Sequence, residues 1–188
     1  MSDELPSIVG IAAAAIGGLA VGEDKRQTRD ITELCASLLP AGRPRYLMGM
    51  GTPVDLVEGI ARGVDMYDCV LPTRNGRTGT VFTRDGRVVL KNAVHQEDFA
   101  PIDPECGCST CRRHARAYLR HLFLAGEMLR PMLATQHNLY FYADVMREAR
   151  RSIVEGRFES WRNEFVDRYS RGEAARVRDE VGNQRRTF

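Results

Sequence analysis

Residues 106–111, CGCSTC, hold three of the chain's five cysteines. Thiols this close serve as disulfide partners, a redox pair or metal ligands. The C-x-C-x2-C spacing of Cys106, Cys108 and Cys111 suits one soft cation better than any disulfide pairing. Zinc in a closed structural site takes four ligands. Three histidines follow: His114, His121 and His137. His114 is so close to Cys111 that it would have to fold straight back. His137, in ATQHNLYFY, falls on a helical stretch that can pack over the cysteine loop. A lone helical histidine would otherwise read as ordinary packing, but three thiolates lacking a fourth partner reverse that reading. The expectation is a Cys3His site holding one structural Zn2+ per chain. A reduced, buried cluster without metal is the plainer alternative. Cys35 and Cys69 stand apart, the first as core filler on a helix, the second on a strand beside Asp68, where burial is favoured over reactivity.

The elements that must carry these residues can be read from periodicity and punctuation. Residues 8–22, ending in GGLAVG, form either a buried strand entering a glycine-rich loop or an alanine-rich helix stopped by glycines. EDKRQTRDITELCASLL has helical spacing at Ile31, Leu34, Leu38 and Leu39, and Pro40 with Gly42 stops it. RYLMGMG at 45–51 reads as a short buried strand. TPVDLVEGIARG reads as a helix, with Thr52 as N-cap, Pro53 in the first turn and Gly63 past the end. VDMYDCVLPT at 64–73 reads as another buried strand, ended by Pro72. Strand–helix alternation with short loops signals βα units and a parallel sheet. Chemistry then gathers beyond the C-terminal strand ends, at 17–23, 48–51 and 67–77.

After Arg77 the pattern changes. GTVFTRDGRVVL reads as a hairpin turning at Asp85-Gly86. A loop, HQEDFAPIDPE, leads to the cysteines, and RRHARAYLRHLFLAGEM, RPMLATQHNLYFYADVMREARRSIVEG and RFESWRNEFVDRYS read as helices. From Arg171 on the charged tail is expected to fray. The organisation is thus a partial barrel at 1–77, a zinc subdomain with helices at 78–170 and a tail at 171–188. No internal repeat is seen.

The bulk numbers fit this. A chain of 188 residues with 43% hydrophobic and 28% charged residues has an ordinary globular composition, and a net charge of +2 does not by itself argue for nucleic acid. The basic residues cluster, however, in RRHARAYLR and NQRRTF. The apolar run at 8–21 is shorter than the ~20 residues that span a bilayer, and the preceding MSDELPS is acidic, unlike a secretory leader. A cytoplasmic chain without a membrane segment is expected, with its thiols reduced.

Taken together, GGLAVGE, YLMGMGTPVDLVEGIARGVDMYDCVLPTRNGRTG and CGCSTC with His137 closely resemble the C-terminal half of bacterial tRNA-guanine transglycosylases. The resemblance runs from about Ala15 to about Tyr169. It implies an α/β fold: the last three or so βα units of a (β/α)8 TIM barrel, with a largely helical zinc subdomain. It also implies an activity. Family members exchange the wobble guanine of tRNAs with a GUN anticodon for a 7-deazaguanine, a step toward queuosine. The exchange is a double displacement through a covalent aspartyl–RNA intermediate, and the aminomethyl base is favoured over queuine.

Residue by residue, the family's nucleophile falls on Asp68. A carboxylate at a strand end is suited to attack a ribose anomeric carbon as the base leaves. Asp65 is the competitor in the same segment, and the resemblance, not spacing, selects Asp68. Gly18 and Leu19 match a Gly-Leu pair whose backbone meets the purine edge, Glu23 an acidic residue nearby, and Met48 an apolar residue against the base face. Gly49, Met50, Gly51, Thr52, Pro53, Val54 and Asp55 match one RNA-contacting loop, and Thr73, Arg74, Asn75, Gly76 and Arg77 another. Arg74 and Arg77 are the side chains expected to grip an unpaired anticodon loop presenting a flipped guanine. Tyr118 and His121 match a homodimer contact.

The resemblance also has a gap. A (β/α)8 barrel takes ~250 residues, and the family's first five units, with their acid/base aspartate, are not in this sequence. The start, MSDELPSIVGIAAAAIGG, departs from the family and reads as a chain beginning inside a gene, or frameshifted and rejoining near Ile16. Three open-edged strands cannot close a barrel, so dependence on a separate N-terminal half is one expectation. A truncated, non-catalytic zinc module for RNA binding or dimerisation is the alternative, and a degraded fragment a third.

Overall fold

The computed structural model describes residues 14–19 and 24–184, with backbone alone beyond residue 176. Glu23 lies outside the described residues. The chain falls into two compact units, one ending at Cys69 and the other beginning at Val70.

The first unit is a parallel sheet in the order β1 (Ala14–Ile16), β2 (Arg45–Leu47), β3 (Met66–Tyr67). Ala14–Ile16 is therefore strand and not alanine-rich helix. The register pairs Ile16 with Leu47 and Leu47 with Tyr67. Ile16, Leu47 and Val64 form a buried core, with Leu19, Cys35, Leu39, Met50 and Tyr67 packed around it.

Two helices connect these strands. The first, α1 (Lys25–Leu38), lies where its spacing predicted it, but Thr28, Thr32 and Ala36 are the buried residues. Ile31, Leu34 and Leu38, which signalled the helix, are exposed. The buried threonines satisfy their hydroxyls within the helix, Thr28 on the Asp24 carbonyl and Thr32 on the Thr28 carbonyl. The second, α2 (Pro53–Ala61), starts as expected with a Thr52/Asp55 capping box and Pro53 in the first turn. The turn beyond it uses Gly63 at φ 85°.

In the second unit the expected strand through residue 73 is corrected. Strand structure stops at Tyr67, and α3 (Leu71–Thr78) begins directly after Val70. Pro72, read as a strand stop, is a helix start. Its fixed φ and missing N–H suit the first turn of a helix, where the N–H has no partner anyway. Thr73–Arg77 are accordingly helical, not loop.

β4 (Thr80–Thr83) and β5 (Gly86–Val89) form the expected hairpin, shifted by one residue. Thr83 pairs with Gly86, so Arg84 and Asp85 form the turn. The Thr83 hydroxyl closes it, donating to the Gly86 carbonyl at 2.8 Å and accepting the Asp85 N–H at 3.2 Å. A 3₁₀ turn (Ala93–His95) precedes the cysteine loop.

Four helices follow: α4 (Ser109–Arg113), α5 (Arg116–Ala125), α6 (Leu129–Val154) and α7 (Phe158–Gln184). The helix expected across 112–128 is thus broken at His114–Ala115 and ends at Gly126. The segment expected to fray from Arg171 continues α7 to Gln184. Glu173 on that stretch binds Arg87 of β5. The hairpin tip rests on helix backbone here, since a Cβ added at Gly172 would stand 1.8 Å from the Asp85 carbonyl oxygen. Arg168 reinforces this, meeting Asp85 at 2.7 and 2.9 Å and Glu105 at 2.6 Å.

The core of this unit gathers Val81, Leu90, Ile102, Leu119, Leu122, Phe123 and Ala134 around the three clustered cysteines. Among the described residues no helix is long and apolar enough to cross a membrane.

Candidate functional site

The cysteine cluster forms where a loop becomes a helix. Cys106 N–H is tied to the Asp103 carbonyl, and Cys108 caps α4, its sulfur accepting the Cys111 N–H at 3.3 Å. Asp103, almost fully buried, braces the loop by accepting N–H bonds from Glu105 and Arg84. α6 brings His137, which is fully buried, over the sulfurs. Its Nδ1 lies 3.7 Å from Cys106 Sγ, 3.5 Å from Cys108 Sγ and 3.2 Å from Cys111 Sγ. All four ligand atoms fall within 4.8 Å of one another.

Tetrahedral coordination with ~2.3 Å thiolate and ~2.0 Å imidazole bonds separates ligand atoms by ~3.5–4 Å. The cluster fits such an ion. The imidazole is also oriented for it. Nε2 lies 2.7 Å from the Phe82 carbonyl oxygen, and donating its proton there turns the Nδ1 lone pair to the sulfurs. The electrostatics call for a cation. Cys106 and Cys111 as neighbours hold the Cys108 thiol far below its ordinary value, while Cys106 and Cys108 push Cys111 far up. Three sulfurs this close cannot all ionise without a positive charge among them. Burial works against a charged His137, but the Cys106 and Cys108 thiols outweigh it and raise the imidazole to about 9.

The first unit presents the carboxylates, and the sheet separates them. Asp65 precedes β3 and accepts the N–H of Arg45, the first residue of β2, at 2.9 Å, so it secures the N-terminal strand ends. Asp68 follows β3 and lies exposed at the C-terminal ends. Its Oδ1 accepts the Tyr46 hydroxyl at 2.8 Å and the Gly49 N–H at 2.9 Å. The Gly49 N–H and then the Tyr46 hydroxyl hold the Asp68 carboxyl below its usual range, and Asp68 in turn raises the Tyr46 phenol.

The other expected site residues separate into exposed and structural groups. Met48 and Gly49 are exposed, Met48 tied through its N–H to the Ile16 carbonyl. Gly18, at φ 82°, has open space around its Cα, whereas Leu19 packs against the core. Met50 also packs against that core, and Val54 is half-buried. Gly51 is buried, and a Cβ there would stand 2.4 Å from Cys69 Cβ. Thr52, Pro53 and Asp55 build the start of α2, and Asp55 also binds Lys25 at 2.7 Å. Thr73, Arg74 and Arg77 are exposed on α3, with Asn75 half-buried. Gly76 is buried against α6, where a Cβ would meet the Thr135 backbone at 2.8 Å.

Tyr46 was not legible as a site residue. Its pairing with Met66 puts it on the face of Asp68, two residues further along, and only the register reveals that. Asn138, beside His137, was also missed. It is fully buried and bonds to Phe82, Pro72 and Thr80.

A family model described as queuine tRNA-ribosyltransferase matches residues 3–171. The match begins well before Ala15, where the likeness was expected to start. The queuine tRNA-ribosyltransferase of Solidesulfovibrio magneticus is 53% identical over 165 residues, covering 88% of this chain and 44% of that protein. That of Thermoanaerobacter pseudethanolicus is 52% identical over 155 residues, covering 82% and 41%. That of Sphingopyxis alaskensis is 52% identical over 163 residues, covering 87% and 44%. The chain spans less than half the length of these relatives.

Proposed function

The chain belongs to the queuine tRNA-ribosyltransferase family, and from that premise we propose that it carries the nucleophile and the zinc subdomain of a tRNA-guanine transglycosylase. One observation carries the reading. Asp68 is an exposed carboxylate at the C-terminal ends of a parallel sheet, held in its charged form by Tyr46 and Gly49. That is where α/β barrels keep their chemistry.

In this reading β1–β3 and their helices are the last units of a (β/α)8 barrel. An Asp68 oxygen bonds to C1′ of the wobble nucleotide of a GUN-anticodon tRNA. The C1′–N9 bond breaks, and its electron pair leaves with guanine. Guanine takes a proton from an acid that the family places outside the residues of this chain. The incoming 7-deazaguanine returns its N9 proton to that group, attacks C1′ and displaces the carboxylate. Gly18, Leu19, Glu23 and Met48 would frame the base. Thr73, Arg74, Asn75 and Arg77 would hold the anticodon loop, and Met48–Gly49 would meet the nucleotide beside Asp68. The ion in the Cys106, Cys108, Cys111, His137 cluster would be zinc, and its part is structural. Tyr118 and His121, on α5, would serve a homodimer.

Labelled guanine tests the exchange. The chain, alone and with the N-terminal part of a relative, is incubated with a GUN-anticodon tRNA. Label entering the tRNA, and not doing so with Asp68→Asn, supports the reading. No label under either condition refutes it and leaves the alternative, a truncated, non-catalytic zinc module for RNA binding or dimerisation.

A further inference from the structure

α3 carries Arg74 and Arg77, and two residues of α6, Thr135 and Asn138, fix where it lies. A Cβ at Gly76 would meet Thr135 Oγ1 at 2.6 Å and its backbone at 2.8 Å, so α3 rests directly on α6 at this point. One turn on, Asn138 is fully buried and uses every hydrogen-bonding group of its amide. Nδ2 donates to the Pro72 carbonyl at 2.9 Å and to the Thr80 carbonyl at 3.1 Å, one in the first turn of α3 and one just past its end. Oδ1 accepts the Phe82 N–H at 3.0 Å.

The same Phe82 accepts the proton of His137 Nε2 at 2.7 Å. Adjacent residues of α6 therefore grip both polar groups of one β4 residue. In an antiparallel ladder alternate residues turn these groups away from the partner strand, and here α6 takes them. The ring that faces the cysteines and the amide that holds both ends of α3 are locked to one residue, through the two peptide groups that flank the Phe82 Cα.

We propose that Asn138 is a positioning residue that ties the order of α3 to occupancy of the metal site. With an ion bound, His137 is fixed, Phe82 is fixed through it, and Asn138 is held in the one orientation that satisfies Pro72 and Thr80. Without the ion, His137 loses its anchor and this chain of bonds loosens at α3. The inference rests on the metal reading of the cluster, and its test does not require RNA binding.

Hydrogen–deuterium exchange with mass spectrometry on the full chain provides that test, using the zinc-loaded protein, the chelator-stripped protein and Asn138→Ala. Cobalt substitution reports the coordination separately. Asn138→Ala is expected to bind one ion per chain with unchanged cobalt thiolate and d–d bands. Its α3 amides should exchange about tenfold faster, the scale of losing one or two buried hydrogen bonds. Stripping the metal from the wild-type chain should raise exchange in α3 more than in α7. Asn138→Asp, which keeps the acceptor for Phe82 and lacks both donors, should loosen α3 in the same way. Unchanged α3 exchange in the alanine variant would overturn the proposal, as would a stripped protein whose α3 rises no more than α7. A variant that binds no metal would also overturn it, since Asn138 would then support the site itself.

Discussion

The Tyr46 hydroxyl lies 2.8 Å from Asp68 Oδ1, the same oxygen that accepts the Gly49 N–H at 2.9 Å. Both donors belong to β2 and the loop after it, whereas the carboxylate follows β3. The parallel pairing of Tyr46 with Met66 and Leu47 with Tyr67 is therefore what aims the carboxylate. A carboxylate positioned by strand register, and not by its own loop, keeps its geometry as long as the sheet does.

Tyr46→Phe raises the pKa of Asp68. Hydrogen bonds to a carboxylate favour its charged form, here the Gly49 N–H most and the Tyr46 hydroxyl next. The wild-type charge survives as pH falls below the ordinary aspartate value. Any stability from the contact is present above that value and lost as pH falls through the depressed one. Without the hydroxyl the titration moves up toward the ordinary value. Carboxyl-carbon NMR follows it directly, and an unmoved titration would assign the effect to Gly49 alone.

Asp65 and Asp68 give opposite phenotypes. Asp65→Ala removes the acceptor of the Arg45 N–H and is expected to cost roughly 0.5–1.5 kcal/mol, read as a lower Tm, with chemistry retained. Asp68→Asn is expected to leave Tm nearly unchanged and abolish covalent capture of RNA. An Asp65 variant that folds but loses capture would reverse the assignment.

Gly76→Ala forces α3 off α6. Its new Cβ would stand 2.8 Å from the Thr135 Cα and N, and helix backbone cannot yield as a flexible side chain would. A loss of about 1–3 kcal/mol in denaturant titration is expected. A neutral result would show that the helices separate at no cost.

Loss of an ion from the Cys106, Cys108, Cys111, His137 cluster is expected to destabilise the second unit. His137→Ala deletes the fourth ligand and leaves the Phe82 carbonyl without its donor inside the core. Metal content should fall well below one ion per chain, with at least ~2 kcal/mol of stability lost. Cys108→Ser should lose metal and keep the Phe82 bond, so it should be the milder of the two. Metal analysis and thermal melts on both variants check the order.

The elements were largely legible because their signals are local. The Thr52–Pro53 start of α2, the cysteine spacing and the turn-flanked hairpin each lie within a few residues of sequence. His137 was legible because three thiolates require a fourth partner. What escaped depends on long-range pairing. Pro72 marks a strand end or a helix start equally well until the chain around it is placed. The exposed Ile31, Leu34 and Leu38 announce a helix, but the face it buries is the threonine face. Tyr46 joins the site through strand register and Asn138 through helix packing, and neither leaves a trace in spacing. Asp68 was selected over Asp65 by likeness to a family, and the physical contrast between them, opposite ends of one sheet, came only with the fold.

Covalent capture is the most direct measurement. The purified chain, supplemented with the N-terminal part of a relative, is mixed with a GUN-anticodon tRNA and resolved under denaturing conditions. A denaturant-resistant protein–RNA adduct in the wild type, retained in Asp65→Asn and lost in Asp68→Asn, is the expected result. An adduct that persists in Asp68→Asn, or none in a wild-type protein that holds one metal ion per chain and binds the tRNA, would contradict Asp68 as the nucleophile.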